Sequence, residues 1–252
     1  MEYFVAKHSI VRTIWGKADT VLFIFAGAAA EFALNKAVDW LYFTGRLPAD
    51  PLGRLFSTVE YARQIVFAPR VGAEKAIDTI TAIHGAVEAK RGAAIPAWAY
   101  RDVLFMLIDY SIRSFEALER LLTTPEKEEV FHVFNRVGLR MGIPDLPTTY
   151  AEWLVARAQH LSQDLAHSHY TDDLFQQYRR HLGPLRYWLL LQGQRLVLPE
   201  HVRHLLGFGA WSWLRPVVPV YRHTHHFSLS QWIKTALLPT AYKAQIQALD
   251  AQ

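Results

Sequence analysis

The chain has 252 residues, 51% of them hydrophobic and 13% aromatic, with a formal charge of +4. This is ample apolar material for one large core, and its basic residues are interleaved with acids rather than gathered in a dense run, which argues against nucleic-acid binding. The absence of cysteine excludes disulfides, thiolate zinc, cysteine-held iron–sulfur clusters, the thioether attachment of c-type haem and a thiolate axial ligand.

The opening stretch MEYFVAKHSIVRTIW has no long apolar segment and no small-residue cleavage site, so it does not read as a signal peptide. The most hydrophobic run, residues 20–34, is interrupted by Glu31 and is too short to span a bilayer. The expectation is a soluble, cytoplasmic protein, with peripheral membrane contact left open. A first long helix is expected over residues 19–43, with Asp19 as its cap and an apolar surface nearly all round. Gly27 and the three alanines after it would admit a partner helix or a flat cofactor at close range.

Pro51 fits the first turn of a second helix. Leu55, Val59, Ala62 and Val66 recur at helical spacing, and Arg54, Thr58, Tyr61 and Ile65 form a neighbouring stripe, so the Arg and the Thr share a face. Pro69 ends this helix. From Gly72, the residues Ala73, Ala76, Ile77, Ile80, Ile83, His84 and Val87 make a third helical stripe in which His84 replaces an aliphatic residue. Gly85 beside it would let something flat approach the backbone. On pattern alone a histidine in such a stripe is more often a satisfied core residue than a metal ligand.

Further helices are expected from Pro96 to Leu122, from Thr124 to Gly142, from Thr149 to His167, and from Asp172 or Asp173 to His181. In the first of these, Asp102 and Asp109 gather on the side opposite the apolar stripe, and Asp109 reads as a solvated or paired carboxylate. Thr149 and Glu152 have capping-box spacing. After a break at Gly183-Pro184, two more helical pieces, an irregular Trp- and Val-rich stretch and a last helix over residues 230–249 complete the chain. No stretch alternates like a strand. The fold expected is all-α, a single helical domain over residues 1–252 with about nine helices.

Other chemistry finds little support. Glu129 and His132 have the E-x-x-H spacing of di-iron bundles, but the second copy and the two further glutamates are missing. His201 and His204 are three apart, and His223, His225 and His226 form a short tract suited to adventitious metal. No H-E-x-x-H, P-loop, G-x-S-x-G or G-x-G-x-x-G motif occurs.

The run AGAAAEFALNKAVDWLYFTGRLPADPLGRLFST, then IHGAV, then TALLPTAYKAQ, resembles the haem-dependent oxygenase family of fungal MpaB and the bacterial latex-clearing protein, a rubber oxygenase. The resemblance covers most of the chain, and it rests on the order and spacing of short motifs. Its R-x-x-x-T helix matches Arg54 and Thr58, and its haem-binding histidine matches His84. It implies a globin-like core around non-covalently bound haem b, with His84 as the iron ligand and Arg54 and Thr58 organising the pocket. Phe23, Phe25, Trp40, Phe56, Phe105 and Leu107 are candidate walls, though plain core packing suits most of them. The implied activity is oxidation of a small apolar, isoprenoid-like substrate by dioxygen. Alternatives are a haem-binding or sensor protein without turnover, and a cofactor-free helical domain for a lipid or partner, suggested by Trp211, Trp213 and Trp232.

Two departures stand out. Where the rubber oxygenase has a lysine that caps the iron, this chain has Ser57, a poor iron ligand. Where it has a catalytic glutamate there is no match, and Asp39 and the earlier Glu31 are the nearest carboxylates.

Overall fold

Helix ends in this protein are fixed by local chemistry that can be followed residue by residue. Its structure, a computed structural model, describes residues 2–45 and 50–224, apart from the side chains of residues 51, 52, 54–56, 223 and 224. Among the described residues the fold is all-α. The helices are α1 (Ile10–Trp15), α2 (Ala18–Phe32), α3 (Asp39–Phe43), α4 (Pro51–Phe67), α5 (Arg70–Arg91), α6 (Ala97–Leu118), α7 (Thr124–Arg140), α8 (Tyr150–Gln163), α9 (His169–Val197), α10 (Glu200–Leu205) and α11 (Val217–Thr224). There is no strand among them, only two isolated bridges, Tyr3 with Pro69 and Asn35 with Leu165. No helix among the described residues is long and apolar enough to cross a membrane. The helix expected over residues 230–249, with its L-L-P motif, lies outside the described residues, as do Trp232, His225 and His226.

Eleven described helices exceed the nine expected: α1, α3 and α11 are additional, and the pieces expected on either side of Gly183 are joined in α9. The helix foreseen over residues 19–43 stops at Phe32 and resumes as α3. Asn35 explains the break. Its Oδ1 accepts a hydrogen bond from the Ala37 amide at 2.8 Å and its Nδ2 donates to Asp102 at 2.9 Å. A short amide side chain that satisfies the backbone locally competes with the helical ladder. At Gly183, φ 72° and ψ 171°, the backbone leaves the helical region, so α9 is two helices joined end to end across a kink, at the Gly183-Pro184 break that the sequence suggests. The caps at α7 and α8 are capping boxes: Thr123 with Glu126 and Thr149 with Glu152.

The core sits where α2 packs against α6, with α9, α8 and α7 around them. Gly27 makes this approach possible. A Cβ at that position would collide with the ring of Tyr110 and touch Val197. The small residues of α2 therefore serve helix-on-helix packing. Trp15, Trp153, Tyr110 and Phe131 are fully buried, and each removes on the order of 150–250 Å² from water. Trp15 also keeps its polar edge satisfied, donating from Nε1 to Ser111 Oγ at 3.2 Å.

Candidate functional site

α4 and α5 pack against each other and are joined only by residues 68 and 69, so Thr58 and His84 lie on neighbouring helices. α4 begins at Pro51 because Asp50 accepts a hydrogen bond from the Gly53 amide at 2.8 Å. Arg54 stands on this helix one turn before Thr58; its side chain, like that of Phe56, lies outside the described residues. Ser57 and Thr58 are half-buried. Val59, Ala62 and Val66 bury the inner side of the helix, as their spacing predicts, and Ile65 of the neighbouring stripe is buried with them.

The stripe on α5 is dry only in its first half. Ala73, Ala76 and Ile77 are buried, whereas Ile80, His84 and Val87 are half-buried and Ile83 is 44% exposed. α7 ends where Arg140 pairs with Asp78 at 2.8 Å, and the open turns of α5 lie beyond that residue. His84 therefore stands among aliphatic side chains that are incompletely covered. A Cβ placed on Gly85 would meet nothing within 4 Å, so the helix surface at the residue next to His84 is open. On its covered side the ring meets Tyr100, with centroids 5.2 Å apart and planes at 65°. Tyr100 is anchored in turn, donating its hydroxyl to Glu88 at 3.1 Å. Burial, together with that carboxylate, raises the Tyr100 pKa and keeps the phenol protonated.

The end of α5 meets α3. Arg91 pairs with Asp39 at 2.6 Å and lies 3.9 Å over the Trp40 ring. Asp39, the nearest carboxylate to the expected acid–base position, is thus held by a guanidinium. Among the other expected wall residues, Phe25 and Phe105 are buried in the main core, and Phe23 and Leu107 are half-buried against it. Their packing role is plain.

A second polar centre is enclosed by α2, α6 and α8. Glu31 has no solvent exposure and receives Arg157 on both oxygens, at 2.5 and 2.7 Å. Tyr110 donates to it at 2.7 Å, and His160 Nε2 lies 3.1 Å from it. Arg157 also reaches Asp109 at 2.9 Å, and Arg113 pairs with the same carboxylate at 2.7 Å. The Nδ1 of His160 faces Asp102 in close contact and Asp164 at 3.4 Å. Burial by itself would raise the Glu31 pKa; the charge and hydrogen bonds of Arg157, with those of His160, outweigh it and hold the carboxyl at about 2. For His160, burial disfavours the charged ring, but hydrogen bonds to Asp102 and Glu31 carry its pKa up to about 8. Asp102 goes up because burial prevails over its partners.

The sequence reading put Asp102 on a helix face opposite the core, yet it is 2% exposed. In the sequence Glu31 reads as an interruption of an apolar run and, after Asp39, as a carboxylate near the unmatched catalytic glutamate; neither reading places it in an ion-paired centre. The signal lies on α8: Trp153, Arg157, His160 and Asp164 recur four, three and four apart, on one face with a fully buried tryptophan at its head. Ion-pairing groups sharing a stripe with a core aromatic need partners, and the acids of α2 and α6 supply them.

Among the described residues the remaining histidine motifs gather no comparable set. His132 is exposed beside a shallow depression that Glu129, Tyr3 and Arg136 also line. His201 is exposed on the short α10, as is His204.

Over residues 13–229 the chain matches the family model described as ER-bound oxygenase mpaB/B′/rubber oxygenase, catalytic domain. No curated protein matches it. No solved structure does either.

Proposed function

The chain belongs to the family of the ER-bound oxygenase mpaB/B′ and rubber oxygenase catalytic domains, and on that premise we propose that it is a b-type haem oxygenase acting with dioxygen on an apolar, isoprenoid-like substrate. The observation that carries the haem reading is the setting of His84. A half-buried imidazole, flanked by the incompletely covered Ile80, Ile83 and Val87 and next to the open helix surface at Gly85, suits a large flat apolar group. A chain without cysteine must bind such a group without thioether links, which excludes c-type attachment and is compatible with b-type haem.

When bound, haem would supply the iron chemistry that activates dioxygen. The chain's own residues have simpler tasks. His84 would supply the protein's nitrogen ligand, with its ring steadied by Tyr100 at 5.2 Å between centroids. Thr58, half-buried on the adjacent helix, would offer a hydroxyl for orientation. Arg54, one turn earlier, would bring a guanidinium able to pair with a carboxylate by two parallel bonds. The aliphatic side chains of α5 would exclude water and accept a hydrocarbon chain. Proton handling has no ready owner near this helix pair. Asp39 is paired with Arg91, an arrangement that favours the second reading, a haem-binding protein without turnover.

The test is the visible spectrum of the purified protein and of His84→Ala. A Soret band in the parent and its loss in a still helical variant support the reading. A parent without haem after reconstitution, or a variant with unchanged haem content, overturns it. Oxygen consumption with a polyunsaturated isoprenoid then separates turnover from binding alone. The proposal extends to a cytoplasmic location.

A further inference from the structure

We propose that the part of α9 after Gly183, the loop over residues 211–216 and the start of α11 form one surface that docks on an anionic lipid bilayer. The proposal does not depend on the haem reading. Three tryptophans stand out of the fold here: Trp188 is 43%, Trp211 54% and Trp213 62% exposed, whereas Trp15 and Trp153 are sealed in the core. Leu185, Val217 and Val220 are at least half exposed in the same segments. Large apolar side chains gathered at a surface, rather than scattered singly, mark a site of interaction.

Named hydrogen bonds hold these segments together. Leu185, Trp188 and Gln192 follow one another at steps of three and four, so they share a face of α9. Gln192 is buried because the loop lies on it: Ser212 donates its hydroxyl to the Gln192 carbonyl at 2.8 Å, and the Trp213 amide donates to Gln192 Oε1 at 2.9 Å. The loop is thus pinned one turn along from Trp188, with Trp211 and Trp213 outward on either side of the buried Ser212. α11 is tied down in turn, since Arg222 donates to the carbonyls of Glu116 and Ala117 on α6 at 2.9 and 3.0 Å. Val217 and Val220, three apart, are left on its outer side.

Charge identifies the occupant. Over the whole chain basic residues alternate with acids, but residues 174–224 hold seven arginines and a single acid, Glu200. Arg179, Arg180 and Arg215 are exposed, and Arg215 lies 6.0 Å over the Trp211 ring, at the centre of the apolar group. Acids near α11 are already engaged, Glu116 with Lys127 and Glu119 with Lys17, each at 2.8 Å. A positive surface studded with tryptophan and valine matches the headgroup zone of an anionic bilayer, where indole rings settle and arginines meet lipid phosphates. A nucleic-acid backbone would satisfy the arginines but leave Leu185, Val217 and Val220 in water. A second copy would set like charges against each other. The attachment lies on the bilayer and does not span it, in keeping with the absence, among the described residues, of a helix long and apolar enough to cross.

The full-length protein is sedimented with vesicles of phosphatidylcholine, with and without phosphatidylglycerol, while its tryptophan emission is followed. The parent should bind the phosphatidylglycerol vesicles at least tenfold more tightly than the neutral ones, with a blue shift in emission and a grip that weakens as salt is raised. A variant with Trp211→Ala and Trp213→Ala should lose at least tenfold in that affinity, together with the shift. Its far-UV spectrum and Tm should match the parent's, because the anchoring bonds come from Ser212 and the backbone of residue 213. Arg215→Gln should weaken binding to phosphatidylglycerol vesicles and reduce its salt dependence. A parent that does not sediment with phosphatidylglycerol vesicles overturns the proposal, as does a tryptophan variant that binds them like the parent. If the parent ignores vesicles but holds polyuridylate RNA, the arginines serve a nucleic acid. If it ignores them and the tryptophan variant turns a dimer into a monomer, or loses Tm, the face serves a second copy or residues 225–252 of the same chain. Each of these results overturns the proposal.

Discussion

Glu31 and Arg157, 126 residues apart in the chain, form a two-pronged ion pair with Glu31 at 0% and Arg157 at 4% exposure. Such a pair adds little net stability, because the cost of removing both charges from water offsets their attraction. Losing one partner is different, since the other charge stays buried without compensation. Arg157→Met should therefore destabilise the fold by about 3–5 kcal/mol. Glu31→Leu combined with Arg157→Met should cost less than Arg157→Met alone, even though Asp109 then depends on Arg113. Urea unfolding of the three proteins checks this. A loss below about 1 kcal/mol in the single variant would mean that the pair is solvated in solution.

The approach of α2 to α6 makes a second expectation. A Cβ on Gly27 has no room beside Tyr110, and Tyr110 is committed to Glu31 through its hydroxyl. Neither the ring nor the helix can yield without breaking that bond. Gly27→Ala should cost about 1–3 kcal/mol despite the better helix propensity of alanine, and Gly27→Val more. An alanine variant as stable as the parent would show that the two helices stand further apart.

The sequence made some of this visible and hid the rest for identifiable reasons. Helix type was legible because apolar residues on α4, α5 and α6 recur at helical spacing. The α8 cap was legible because Thr149 and Glu152 carry it locally. The break at Asn35 was hidden: it depends on Asp102, 67 residues away, and no local pattern encodes that partner. The same holds for the polar centre. Asp102 and Glu31 look like solvated acids when each is viewed on its own helix, and their burial follows only once α2, α6 and α8 are assembled. The reading of α5 failed in the opposite direction. Periodicity promises a buried stripe, but Ile83 at 44% exposure shows that a stripe needs a covering partner as well. At the candidate site, the identities of Thr58 and His84 came from resemblance to a family, while their half-burial on packed neighbouring helices came from the fold.

Acid sensitivity should extend to the start of α7. Glu126 pairs with Arg120 at 2.5 Å and accepts the Thr123 amide at 2.8 Å. The Arg120 hydrogen bond first, and the backbone bond from Thr123 next, pull its pKa from 4.5 to about 2. A carboxyl depressed on folding stabilises the protein fully above its unfolded pKa, and that contribution fades as pH falls through the folded one. Glu126→Gln should thus be less stable than the parent at pH 7, by about 1 kcal/mol as for other lost caps. The gap between the two should shrink as pH falls from 4.5 toward about 2. Paired denaturation curves across that range check it, and a gap independent of pH would assign the effect to shape rather than charge.

The haem reading carries a prediction about the position opposite His84. Ser57 stands immediately before Thr58, where the rubber oxygenase carries an iron-capping lysine, and a neutral hydroxyl is a weak ligand for haem iron. Distant histidines are poor substitutes. His160 has both ring nitrogens turned toward carboxylates, and His167 is exposed beside Asp172 at 3.4 Å. The ferric protein should therefore bind added imidazole without first displacing a side chain, converting to a low-spin spectrum with a simple hyperbolic titration. Ser57→Lys supplies the internal contrast. An amine at that position should produce a low-spin spectrum before any addition and weaken imidazole binding at least tenfold. A parent that is low-spin from the start and unresponsive to imidazole would reveal a second protein ligand, and the role assigned to Ser57 would fall even with His84 in place. Arg54 can be judged in the same preparations. Its substitution by Ala should lower haem retention more than substitution by Lys, and Lys should not match the parent, because an ammonium cannot reproduce the paired bonds of a guanidinium. Equal retention in all three proteins would take Arg54 out of the site.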